Sequence, residues 1–175
     1  MVIFETERLL VRQYEKEDAD NFFLLNGDEE VVRYIRPSKT REECDVFLES
    51  VMADYQTAPL FGRWAVEEKS SKIFAGSFAL IPVEGKEQMQ LGYALLPGHW
   101  GKGYATELSR AGLEYVFSKT AIDPVYAYTE TQNIASQKVL LKVGFALDGT
   151  SKEGEKELVG FVLPRISFFN KKAEK

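Results

Sequence analysis

The stretch Leu91-Gly92-Tyr93-Ala94-Leu95-Leu96-Pro97-Gly98-His99-Trp100-Gly101-Lys102-Gly103-Tyr104-Ala105-Thr106-Glu107 admits few folds. It reads as a strand, a break at Pro97-Gly98, a glycine-rich loop and a helix over about 103–118. Leu108, Ala111, Gly112, Tyr115 and Val116 share one face of that helix. Free backbone N–H groups at a helix N-terminus favour an anion. Gly101 and Gly103 let the main chain approach it without a Cβ in the way. A phosphate or pyrophosphate is the natural guest. A P-loop needs Ser or Thr after Gly-Lys, and here Gly103 follows Gly101-Lys102. A dinucleotide fingerprint needs a third glycine where Thr106 stands, and it follows the first strand of a parallel unit. A nicotinamide-dependent oxidoreductase fails on both counts. Taken alone, the loop also fits a plain tight turn.

The flanking pattern supplies the context. Alternation predicts a first strand over 8–13, and Ala19, Phe22 and Phe23 predict a short helix over 17–26. Cys44, Phe47, Leu48, Val51, Met52 and Tyr55 predict a longer one, opened by the capping box Thr40…Glu43. Strands follow at about 62–68, 72–82 and 87–96, joined by turns short enough for antiparallel hairpins. After the helix at 103–118, Pro124–Tyr128 reads as a strand. Asn133 caps a helix that reaches about 142 and closes at Gly144. Segments 145–147 and 158–163 can form a last strand pair around a solvated turn at Lys152–Glu157. The expected architecture is α+β: a mostly antiparallel mixed sheet flanked by about four helices, in one domain over residues 1–175.

Charge and cysteine content narrow the function. A net charge of -5 disfavours nucleic acid and mildly favours cationic partners such as amines. One cysteine, Cys44, excludes an internal disulfide and fits a reducing compartment. The first residues lack the layout of a secretion signal, and no apolar run nears the ~20 residues of a membrane span. A cytoplasmic protein without membrane contact, monomeric or homodimeric, is expected. No His/Cys cluster has metal-ligand spacing, so no metal is expected.

A second segment, Asn133-Ile134-Ala135-Ser136-Gln137-Lys138-Val139-Leu140-Leu141-Lys142-Val143-Gly144-Phe145, pairs with the loop. Together they resemble the two hallmark motifs of GNAT N-acetyltransferases. Trp100–Ala105 resembles the (Gln/Arg)-x-x-Gly-x-(Gly/Ala) acetyl-CoA loop, and 133–145 the Asn-x-x-Ser/Ala…Gly-Phe motif. The opening Glu5–Arg12 is similar to the ribosomal-protein branch. The resemblance covers roughly 5–150 and implies a sheet splayed at the cofactor site. It also implies acetyl transfer from acetyl-CoA to a primary amine, on a small molecule or a protein N-terminus, within a ternary complex. Trp100, Gly101, Lys102, Gly103, Tyr104, Ala105 and Thr106 would form the pyrophosphate loop. Leu95 and Leu96, with Ala94, would pair with the pantetheine arm. The Ala94 amide would hold the carbonyl oxygen as charge develops, and Asn133 and Ser136 would contact the cofactor.

Three positions depart from the family pattern. Trp100 replaces the usual Gln or Arg, as it does in the ribosomal-protein branch. Leu140 stands where many members carry a thiolate-protonating Tyr and cannot donate a proton. Ser136 is then the donor by analogy, or only a first-turn helix residue. Gln90 stands at the usual glutamate base, and alternation sends Glu87 to the opposite face. No carboxylate of this strand is therefore expected to be the base. His99 reads as a turn residue rather than a catalyst, Cys44 as a core thiol, and Tyr126 and Tyr128 as strand packing. An acyl-CoA-binding module with little catalysis is the competing function.

Overall fold

The computed structural model describes residues 1–173. The chain forms β1 (Val2–Glu5), β2 (Leu9–Arg12), α1 (Ala19–Asn26), α2 (Glu29–Val32), α3 (Arg41–Thr57), β3 (Gly62–Glu68), β4 (Phe74–Pro82) and β5 (Met89–Leu95). It continues through α4 (Tyr104–Lys119), β6 (Val125–Glu130), α5 (Ile134–Val143), β7 (Ala146–Glu153), β8 (Lys156–Leu163) and α6 (Arg165–Ala173). The strands make one eight-stranded sheet in the order β1-β2-β3-β4-β5-β6-β8-β7. Every pairing is antiparallel except β5 with β6. That exception follows from the crossover through α4, which brings the chain back in the same direction.

β5 and β6 pair only through Met89–Val125 and Gln90–Tyr126. Beyond Gln90 the two strands part, so the sheet opens over the C-terminal half of β5. This is the splay that the resemblance implies. Strand alternation then assigns each side chain to a face. Phe78, Leu80, Leu91 and Leu95 are buried with α4 on one side. Ser77, Ala79, Gly92 and Ala94 point to the α3 side and stay half-buried although they lie mid-sheet. Small residues there leave room above the sheet. Helix α4 approaches the opposite face closely: a Cβ on Gly112 would lie 2.1 Å from Phe78 Cζ.

Helix α3 begins as expected, with Thr40 and Glu43 exchanging both capping-box hydrogen bonds. It buries Cys44, Leu48, Val51 and Tyr55. Four features differ from the sequence reading. β1 is four residues long, with three successive apolar residues and no alternation. α2 is a single turn. α6 follows Pro164 and is held from outside, with Arg165 donating to the carbonyls of Phe117, Thr120 and Ile122. β7 runs to Glu153 rather than stopping at 147; it is exposed along its length, so it carries no hydrophobic alternation. Six α-helices therefore flank the sheet among the described residues, where about four were expected. None of them is long and apolar enough to cross a membrane.

Candidate active site

The glycine-rich loop lies at the end of β5, where the sheet opens. Pro97–His99 makes one 3₁₀ turn. Gly101 and Gly103 then take left-handed conformations, with φ of 71° and 80°. A side chain is strained in that region, which is why glycine stands at both. Gly103 is the N-cap of α4 and offers no side-chain cap. The amides of Gly101 through Thr106 find no protein acceptor among the described residues. The other multi-turn helix near the opening is different: Asn133 caps α5 by accepting from the Ser136 amide at 3.2 Å. An uncapped 16-residue helix whose N–H groups point out of a glycine loop is built to take an anion.

Two anchors hold the loop. Trp100, although 45% exposed, donates its indole N–H to the Leu95 carbonyl at 2.6 Å. On the other side Arg8 donates to the Lys102 carbonyl at 3.0 Å and grips Glu107 through Nε at 2.7 Å and Nη2 at 2.6 Å. Thr6 also donates to Glu107, at 2.5 Å. The Arg8 guanidinium lies 4.4 Å from the centre of the Tyr104 ring, whose hydroxyl donates to Glu68. This brace escaped the sequence reading of the loop because its members lie about a hundred positions apart in the chain. His99 stacks on Tyr104 at 6.1 Å. Burial and then the nearby Lys102 push its pKa down, and the residue closes the 3₁₀ turn at Pro97–His99.

Backbone direction along β5 is set by one bond. The Leu96 amide donates to the Ala75 carbonyl at 2.9 Å, toward β4. Alternate residues point the same way. The Ala94 amide, in register with Ser77, therefore also faces β4, and the amides of Tyr93 and Leu95 face the opening. The Ala94 amide, expected as the oxyanion donor, thus points away from the opening, while the amides of its two neighbours point into it.

Tyr93 reaches from β5 to α5 on the α4 side, where its hydroxyl lies 3.1 Å from Ser136 Oγ. Burial raises the pKa of Tyr93, against a smaller opposing effect of the Ser136 hydrogen bond, so it keeps its proton at neutral pH. This partner was missed because strand and helix lie 43 residues apart. Leu140 is buried in the core. Gln90 is half-buried in the paired part of β5, and Glu87 is exposed in the turn before it. Tyr126 and Tyr128 alternate with the buried Val125, Ala127 and Thr129 of β6 and are half-buried. Tyr128 donates to Gln88 Oε1 at 2.8 Å. Cys44 is buried, with a thiol pKa raised by burial, as a core residue should be.

A split mixed sheet with an anion-binding helix N-terminus at the split defines an acyltransferase of one particular fold. The acetyltransferase (GNAT) domain family matches residues 8–146. The chain belongs to that family. Among curated relatives, the uncharacterized N-acetyltransferase YoaA of Bacillus subtilis is 30% identical over 154 residues, spanning 86% of each chain. The fold is shared with spermidine N-acetyltransferase from Vibrio cholerae, solved with CoA and spermine (TM-score 0.77, 20% identity, 93% of this chain and 99% of that one). It is also shared with ribosomal-protein-S5-alanine acetyltransferase from Vibrio fischeri (TM-score 0.76, 19% identity, 96% and 98%).

Proposed function

We propose that this protein transfers the acetyl group of acetyl-CoA to a primary amine, directly and within a ternary complex. The observation that carries this reading is the run of unpaired amides from Gly101 to Thr106 beside the split in the sheet. Those amides would hold the pyrophosphate, with Trp100, Lys102 and Asn133 around it. Leu95 and Leu96 border the opening that would receive the pantetheine arm. Acetyl-CoA supplies an activated thioester. The amide of Leu95 or Tyr93 would hold the carbonyl oxygen as negative charge develops. Ser136, backed by the Tyr93 hydroxyl, would keep a proton within reach of the departing sulfur. The acceptor would approach from the α3 side, over Gly92 and Ala94. The Tyr93–Ser136 pair answers the lack of a tyrosine at 140 and favours catalysis over a passive acyl-CoA-binding role.

Calorimetry with acetyl-CoA tests the loop. Gly103→Val places a branched side chain on a left-handed residue in the amide run. It costs roughly 1–2 kcal/mol of stability but leaves the domain folded. Acetyl-CoA affinity should fall at least about tenfold, or ~1.4 kcal/mol. Equal affinity in a folded variant would remove the loop from the site.

A further inference from the structure

The α3 side of the sheet carries an unexpected concentration of positive charge. Arg63, on β3, stands in register with Ala79 of β4, which is in register with Gly92 of β5. Its guanidinium lies 5.3 Å from the centre of the Phe47 ring of α3. Arg36, from the segment between α2 and α3, lies 5.6 Å from the same ring, and so does the Lys39 ammonium. Arg36 and Arg63 are half-buried, and neither forms an ion pair among the described residues. Arg36 donates once, to the Asn26 side-chain carbonyl, and its buried Nε has no partner. The carboxylates nearby are engaged elsewhere or face water. Asp54 is exposed and acts on Arg63 only at a distance. Glu43 is spent in the α3 capping box, and Glu42 is exposed.

Two half-buried guanidiniums that repel each other without a counter-charge are costly to hold. Burial pushes the pKa of both down, and repulsion from Arg63 adds to this at Arg36. Such an arrangement suits a site where the ligand supplies the missing negative charge. Planar guanidinium forks match an oxyanion with two or more oxygens. Arg63 is two strands from Gly92, about 10 Å across the sheet by strand spacing, and the small residues between leave that path open. We propose that the acceptor amine carries an oxyanion at its far end, a carboxylate or a phosphate, and that Arg36 and Arg63 hold it. The proposal rests on the acetyltransferase reading above and names the acceptor class for that site. It runs against the net charge of -5, which taken globally favours a polycation.

A matched acceptor panel tests it: ω-amino carboxylates from glycine to 6-aminohexanoate, their carboxamides, the corresponding diaminoalkanes, and 3-aminopropyl phosphate. Thiol release with acetyl-CoA gives kcat/KM. At the best spacing an oxyanion-bearing amine should exceed its uncharged counterpart at least tenfold, with the carboxylate and phosphate arms identifying the oxyanion. Arg63→Gln should shrink that ratio to within about threefold, acting through KM. Arg63→Lys should restore part of it, keeping charge without the fork. Diaminoalkanes turning over best, or a ratio indifferent to Arg63, would overturn the proposal. Calorimetry of the same carboxylates and phosphate with wild-type protein and both variants, with and without CoA, decides the case in which no amine is acetylated. Oxyanion binding that weakens tenfold in Arg63→Gln upholds the cation site even if the acetyltransferase reading fails, and no binding to the wild type overturns it. CoA binding, measured separately, judges that reading on its own.

Discussion

Ser136 illustrates how one residue acquires meaning from its neighbour. In the first turn of α5 its amide is held by the Asn133 cap, which would suffice for a structural serine. The hydroxyl instead meets Tyr93 across the opening of the sheet. If the pair delivers the proton to the sulfur, Ser136→Ala should lower kcat by roughly one to two orders of magnitude, within the usual range of acid catalysis. Acetyl-CoA affinity should change far less. Tyr93→Phe should cost less than Ser136→Ala, because the serine keeps its own hydroxyl. Single-turnover kinetics beside equilibrium binding separates the two effects. A normal kcat in Ser136→Ala returns the serine to helix capping and leaves water as the donor.

Strand β5 shows what an element decides. Its N-terminal half is paired on both edges, and its C-terminal half is paired on one. Gln90 lies in the first half, where a neutral amide cannot accept a proton at physiological pH. Glu87 lies before the strand and is exposed. On the open face of β6, Glu130 is taken up by Lys156. The acceptor would thus deprotonate through water or bind in its neutral form. The pH profile of kcat/KM should rise toward the acceptor's own pKa, and Glu87→Gln should leave its shape intact. A break near neutrality that Glu87→Gln abolishes would put a base on this side of the site after all.

Across the molecule, one ion cluster ties the N-terminal strands to the sheet. Arg12 on β2 bridges Asp18, just before α1, at 2.6 Å and Glu67 on β3 at 2.5 Å. Burial would raise the pKa of Asp18, but hydrogen bonds from Arg12 and the Glu15 amide outweigh it and hold the carboxyl below its ordinary value. A group depressed by folding stabilises the protein above its unfolded pKa, ~3.9. That contribution is lost as pH falls through the folded value. Thermal stability should therefore drop below about pH 4, and Asp18→Asn should flatten that drop while lowering stability at pH 7. Melting curves from pH 2 to 7 check it; an identical acid limb in Asp18→Asn would assign the drop to other carboxylates.

Local chemistry made much of this protein legible. The glycines at 101 and 103, the Thr40–Glu43 box, the Asn133 cap and the period-two runs of β3 to β5 each write their conformation into neighbouring residues. Local physics is readable in order along the chain for that reason. What depended on distant packing was not. β7 is exposed and holds its place by pairing with β8, and α6 by the grip of Arg165. The Arg8–Glu107 brace joins residues 99 positions apart, and Tyr93 meets Ser136 only because α5 folds back beside β5. The choice between the Ala94 amide and its neighbours turns on one hydrogen bond to β4, which no spacing encodes. Arg36 and Arg63 carry no signal in sequence; only the packing of α3 and β3 brings both against one phenyl ring without an ion-pair partner among the described residues.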